Sequence, residues 1–525
     1  MGKLYSFSDI NNFKRAVNIS AALLDEVNPK IFFSPYSVIP VISQILGLNI
    51  PLMGTGDSPY SVTSIIFQLK EKGRLFKEIF KIPLAEKRKI LDELYEMLAP
   101  LLLEDEDFYI GFLVKTKYKK ELKGNVEIKR FKKELKDKFN TIRPFMKKFL
   151  NLKGDFGYIV HYGYPEDLNR EYGFLRELPY NTAQEWRNYS YPIVNEILVK
   201  NFPGHKNING WVIFVTNYTK ELLEDSKLRK RKISQAAILA EKLGARIIGM
   251  GGLIASFAQG GYWLSKQMPK VGFTTGHAFT IGNIINIMKE SAKRTGLNIR
   301  KSTIAIIGAG GSIGSGCARL VAEKGVKRII LIELSSFDTF QKLKELKEAI
   351  QKINPRVELI SSVSISDIKE ADLVIMATNS PTSILKSGHL KPGAIIIDDS
   401  FPKNVSREVL KKRKDIIILE GGIMQLPYSI DVYAARNMPD LMDLPLTRAI
   451  SCKETYGCFA EILVLALDKY KGNYGLGYSD PKLTKDILRR AKRFNFGLAP
   501  LQCFDEAVEE KRINRVSRII SFREG

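Results

Sequence analysis

Residues 302–325 read STIAIIGAGGSIGSGCARLVAEKG. The run Thr303–Ile307 has the short, β-branched apolar character of a strand buried on both faces. Four glycines follow at 308, 310, 311 and 314, and an apolar-periodic helix follows them. The spacing Gly308–Gly311–Gly314 is a GxxGxxG variant of the GxGxxG turn. Gly308 permits a tight turn. Gly310 or Gly311 lets backbone approach a pyrophosphate, and Gly314 lets the helix pack close to the strand. Ser312 and Ile313 open that helix, whose first N–H groups lack intrahelical partners and suit an anion. This stretch predicts a dinucleotide site.

The pattern repeats outward from it. RIILIEL, VELISS, ADLVIMAT, GAIIIDD and IIILEGG alternate with helical segments, the βαβ rhythm of a doubly wound parallel sheet. Glu333 ends the next strand, 19 residues after Gly314, where a carboxylate can accept from both ribose hydroxyls and repels a 2′-phosphate. Ser335, Ser336 and Lys342 nevertheless offer partners to such a phosphate, so the cofactor is read as NADPH or NADH. Thr378, Asn379 and Ser380 close another strand, at the edge where ligands of such sheets lie. Asp398, Asp399 and Pro402–Lys403–Asn404 end the next, and Gly421–Gly422 the one after. Turn chemistry alone accounts for each of these clusters; their shared edge singles them out.

Upstream, GYIVHYG, GWVIFVTNYT and ARIIGMGG read as strands, the last running into glycines 249, 251 and 252. Thr274–Thr275–Gly276 reads as a loop and His277 onward as a helix. The expected class is α/β, a Rossmann domain at 296–440 with a second α/β substrate domain at 151–295. A helical basic extension covers 1–150, and C-terminal helices at 441–525 complete a cleft.

The chain has 525 residues and a formal net charge of +24, which favours an acidic partner without choosing one. Residues 115–148 hold 14 Lys/Arg, but no nucleic-acid motif accompanies them, so no nucleic-acid partner is expected. The four cysteines, 317, 452, 458 and 503, show no CxxC spacing, and neither a disulfide framework nor a metal site is expected. No signal-peptide pattern opens the chain, and the uncharged stretch 31–56 is interrupted by Pro35, Pro40 and Pro51. The expected setting is therefore cytoplasmic and reducing, with room for peripheral membrane contact.

The blocks GMGGLIASFA (249–258), FTTGHAFT (273–280), AIIGAGGSIGS (305–315), ADLVIMA (371–377), IIIDDSFPKN (395–404), LEGGIM (419–424) and GCFAE (457–461) occur in this order. From about residue 155 onward the chain resembles the long-chain acyl-[acyl carrier protein] reductases, enzymes that form fatty aldehydes. On residues alone, Cys458 is a packed cysteine of an apolar helix. The resemblance instead implies a nucleophile that takes the acyl group from a fatty acyl thioester, and NADPH-dependent release of the aldehyde. A thiolate suits thioester exchange. Thr274, Thr275 and His277 are then candidate donors to the oxyanion, His277 also to the departing aldehyde oxygen. Where the family has Asn and, two residues on, His, this chain has His277 and Phe279; Leu334 stands where the family has Arg.

The resemblance implies an NAD(P)H-dependent, aldehyde-forming oxidoreductase, its donor an acidic acyl carrier protein or CoA. Two other readings fit the fold: a shikimate- or amino-acid-type dehydrogenase with no acyl-enzyme, and a non-enzymatic nucleotide-binding adaptor at a membrane surface.

Overall fold

The computed structural model describes residues 154–525 except 164, 167–179, 181–183, 185–186, 189–191, 200–207, 243, 334–336, 381–382, 401–402, 428–430, 433–453, 479, 505 and 525, and also Lys129 and Lys133. The basic extension apart from Lys129 and Lys133, together with Pro402, Ser335, Ser336 and Cys452, therefore lies outside the described residues.

Two six-stranded sheets organise these residues. The first is built from β1 (Phe156–Tyr162), β2 (Ile193–Val199), β3 (Ile208–Tyr218), β4 (Ile247–Met250) and β5 (Gly272–Thr274), with the strand Asp431–Val432 at its edge. Strands β3, β1, β4 and β5 run parallel, while β2 pairs antiparallel with β3. Every residue of β1 is buried, because both faces of the sheet are covered. Helix α1 (Ser226–Lys242) covers one face.

The second sheet contains β6 (Thr303–Ile307), β7 (Arg328–Ile332), β8 (Glu358–Ser362), β9 (Leu373–Met376), β10 (Ile395–Asp398) and β11 (Ile417–Glu420). Its order is β11-β10-β9-β6-β7-β8, all parallel. This is the doubly wound Rossmann order, with its switch point between β6 and β9. Five of the six strands fall on compact apolar runs; the edge strand β8 is mostly exposed, with Leu359 and Ile360 its only apolar residues.

Helix α2 (His277–Thr295) joins the two bodies. Ala278 and Phe279 belong to the core against the first sheet, and Ile281, Ile284 and Met288 to that of the second. Helix α3 (Ser312–Ala322) follows the glycine turn, and α4 (Phe337–Ile353) links β7 to β8. Near the C-terminus, α5 (Gly457–Leu467) and α6 (Pro481–Arg493) contribute to the core of the first sheet. By contrast, α7 (Glu510–Glu524) sends Ile513, Val516 and Ile520 into the Rossmann core. The C-terminal segment is thus divided between both bodies. Strand Asp431–Val432 pairs with β2, so the chain returns to the first sheet ahead of the expected boundary at 440. No helix among the described residues is long and apolar enough to cross a membrane.

Candidate active site

Helix α5 is apolar apart from Glu461, as befits a buried helix. Ten of its eleven residues are buried, and Cys458 is the exception. The half-buried thiol stands in the helix's first turn, where the dipole favours negative charge. The Tyr158 hydroxyl lies 3.0 Å from its sulfur. Burial pushes the thiol's pKa up, while Tyr158 and the backbone N–H groups of Gly252 and Phe459 hold it down. The balance remains a rise, so the resting group is a thiol with three donors ready for a thiolate.

The glycines of GMGG make room for Tyr158. A Cβ on Gly251 would sit 2.1 Å from the Tyr158 hydroxyl oxygen. Phe459 packs edge-on against the same ring, with centroids 4.9 Å apart. His161 fixes the adjoining turn: Leu253 N–H donates to its Nε2 at 3.1 Å, which puts the ring proton on Nδ1, 2.8 Å from Tyr162 O. Burial lowers the pKa of His161 to about 4, so it is neutral at pH 7.

The turn at 274–276 meets Cys458 directly. Gly276 has a φ of 74°, and a Cβ there would lie 2.3 Å from the Cys458 Cβ. One turn along α5, Glu461 secures the same loop. Its buried carboxylate accepts from the Thr274 hydroxyl and, at 2.7 Å, from Phe279 N–H. It thereby caps α2, whose own N-cap, Gly276, has no side chain. Burial raises the pKa of Glu461 to about 7, against the pull of Thr274 and of the Phe279 and Gly276 N–H groups. We expect Glu461→Gln to destabilise the protein by about 1–3 kcal/mol, because its amide group turns a donor toward Thr274 or Phe279. Denaturant unfolding at pH 8 measures this loss.

Other candidate donors have their protons committed. Thr275 donates to Gly475 O at 2.7 Å. Ser312 donates to Gly477 O at 3.0 Å, and so accepts from His277 Nδ1 at 2.9 Å. With the proton on Nδ1, His277 Nε2 presents a lone pair. Burial lowers its pKa to about 4, so the expected donation from this ring to an oxyanion does not follow from this geometry. His277 instead ties the 274–277 turn to the glycine turn.

The glycine turn fits a nicotinamide dinucleotide. Gly308 and Gly314 are required by the chain itself: added Cβ atoms would lie 2.3 Å from Ala377 O and 2.1 Å from Gly308 O, respectively. Gly311 is exposed and has an ordinary φ of −75°. A Cβ there would lie 3.3 Å from Gly308 O, a close approach to backbone, and the uncapped start of α3 beside it suits a phosphate. Ser312 and Ile313 are the first residues of that helix. Glu333 accepts from Gly310 N–H at 2.6 Å. Burial raises its pKa, opposed by that bond and by Lys342. Thr378, Asn379 and Ser380 follow β9 at the same edge. Thr378 Cγ2 lies 3.3 Å from where a Gly308 Cβ would stand, and its hydroxyl donates to Asn404.

A segment that sequence reading missed bridges β5 and the glycine turn. Tyr474 N–H bonds Phe273 O at 2.8 Å, and the Tyr478 hydroxyl donates to Gly310 O at 3.3 Å. Its glycines at 472, 475 and 477 were the available signal. Cys317 and Cys503 are buried in packing roles.

The family model for shikimate / quinate 5-dehydrogenase matches residues 290–418. The aminotransferase PigE of a Serratia strain is 23% identical over 349 residues, 66% of this chain; the chain spans 38% of that relative's length. A long-chain acyl-[acyl-carrier-protein] reductase from Synechococcus elongatus is 25% identical over 346 residues, covering 63% of this chain and 94% of that protein. The structure of an NAD-dependent malic enzyme from Thermotoga maritima aligns with a TM-score of 0.33 at 12% identity, over 74% of this chain and 89% of that one.

Proposed function

We propose that this chain is an NAD(P)H-dependent oxidoreductase that reduces a fatty acyl thioester to an aldehyde through an acyl group carried on Cys458. The observation that carries this reading is the position of that sulfur. It belongs to the one residue of α5 that is not buried, at the helix's positive end, against the Gly276 turn and Tyr158. The acyl-[acyl-carrier-protein] reductase relative, matched over most of its length, supports it.

The residues divide the work. Cys458 attacks the thioester carbon and the donor's thiol departs. Tyr158 and the N–H groups of Gly252 and Phe459 steady the sulfur while it carries charge. Glu461 keeps the Gly276 turn against the nucleophile. Gly308, Gly310, Gly311, Ser312, Ile313 and Gly314 would hold the pyrophosphate, Glu333 the adenosine ribose, and Thr378, Asn379 and Ser380 would face the nicotinamide half. The dinucleotide, when bound, supplies hydride. A net charge of +24 suits an acidic acyl carrier protein as donor.

The test is oxidation of NADH and NADPH with a panel of acyl carrier protein and CoA thioesters, with the aldehyde read by mass spectrometry. Failure of every thioester to yield aldehyde would sink the proposal. Glu333 adds a prediction: NADH is preferred, and Glu333→Ser lowers kcat/KM for NADH about tenfold by removing a charge-assisted hydrogen bond. The same change raises kcat/KM for NADPH, and initial rates with each cofactor decide it.

The family-model match favours a second reading, reduction of a ketone or imine without an acyl-enzyme. Its span, 290–418, contains neither the Thr274–Gly276 turn nor Cys458.

A further inference from the structure

Reducing an acyl-enzyme takes up one proton as well as one hydride, and Thr274, Thr275 and His277 have their protons bound elsewhere. We propose that Asp399, at the carboxyl end of β10, is the acid that protonates the acyl oxygen as hydride arrives; this rests on the acyl-thioester reading above.

The placement is built into the fold. Asp399 is partly buried at the ligand-binding edge of the Rossmann sheet, beside the β9 edge that carries Thr378–Ser380. Gly421 and Gly422 clear the space it occupies: Cβ atoms there would lie 2.7 Å from its Cβ and 2.5 Å from its Oδ1. Gly422 O in turn accepts from Gly457 N–H at 2.6 Å, so Gly422 links the carboxyl to the residue before Cys458. Its neighbour Asp398 has the opposite character, with both oxygens accepting from the backbone of Ser400, Asn404 and Val405 at 3.0–3.1 Å. The Asp399 carboxyl makes no hydrogen bond among the described residues, leaving it to a substrate.

The charged and titratable groups that face it are Lys403 and Asp398 from its own segment, Cys458 from α5 and Cys317 from α3. Burial raises its pKa to about 7, Lys403 opposing and Asp398 adding to the rise. The acid form therefore prevails below about pH 7 and is lost above it.

The step balances. Hydride from a reduced nicotinamide bonds to the acyl carbon while the Asp399 proton passes to the acyl oxygen, giving a hemithioacetal on Cys458. The carbon–sulfur bond then breaks, the hydroxyl proton moves to the departing sulfur, and aldehyde and the Cys458 thiol result. Asp399 regains its proton from water.

The experiment uses the full chain and Asp399→Asn. Acylation of Cys458 by an acyl-CoA without reductant is followed by intact mass. Single-turnover aldehyde release on adding NADH is followed from pH 5 to 9. Infrared titration reads the carbonyl stretch of a protonated carboxyl. We expect acylation to be retained, since the amide keeps the size of the neutral acid and Asp399 takes no part in the attack of Cys458 on the thioester. Release falls about 100-fold, and its decline above about pH 7 disappears. The infrared band titrates near neutrality in the wild type and is missing from the variant. Unchanged release with the same pH limb, or no such band, overturns the proposal. A wild type that takes no acyl group refutes the thioester reading in the first measurement, while the infrared titration still decides whether Asp399 is held as an acid.

Discussion

Replacing Cys458 with serine is expected to lower aldehyde formation from an acyl thioester at least about 1,000-fold. The two side chains are nearly the same size and the rest of α5 is buried, so the fold should be kept. What changes is the nucleophile. The serine hydroxyl ionises far less readily than a thiol and exchanges poorly with a thioester. Tyr158 and the first-turn N–H groups of α5 can steady a thiolate but supply no general base to activate an alcohol. Intact mass should show the acyl adduct on the wild type and none on the variant, with equal NADH binding by fluorescence. A serine variant that formed aldehyde at the wild-type rate would exclude the covalent route. One that lost no activity toward a ketone or imine would establish the dehydrogenase alternative.

Gly276→Ala is expected to be nearly as damaging, for a different reason. The φ of 74° strains any residue with a Cβ, and that atom would lie 2.3 Å from the Cys458 Cβ. Left-handed strain and overpacking together should cost roughly 2–5 kcal/mol, measured by denaturant unfolding. Relief requires the turn and the first turn of α5 to separate, which displaces the sulfur from the donors around it. Acylation of Cys458 should fall at least about 100-fold even in the folded fraction. Stability and acylation rate both at wild-type values would show that Gly276 does not set the nucleophile's position.

The Rossmann half was legible because its information is local. Each strand from Thr303–Ile307 to Ile417–Glu420, except the exposed edge strand Glu358–Ser362, is a compact apolar run, and the turn at 308–314 places its glycines at fixed spacing. The first sheet was less so. Strand β2 was missed, and it is the antiparallel member. Cys458 was distinguished by resemblance, since an apolar helix with one cysteine carries no local mark of chemistry. Tyr158 and Glu461 were missed altogether: a tyrosine in an apolar strand and a lone glutamate in an apolar helix each have innocuous explanations. The glutamate's fully buried carboxylate acquires meaning only when Phe279 N–H and Thr274 are found beside it.

The amino-acid sequence by itself determined the doubly wound sheet and the phosphate-approach turn, because periodicity and glycine spacing act over a few neighbouring positions; the candidate thiol came from the resemblance. Tertiary structure alone decided which protons are available. Thr275, Ser312 and His277 lost theirs to acceptors brought from elsewhere in the chain, and Asp398 and Asp399, adjacent in sequence, received opposite environments. Hydrogen bonding and desolvation depend on atoms within a few ångströms, and those atoms come from segments tens to hundreds of residues apart.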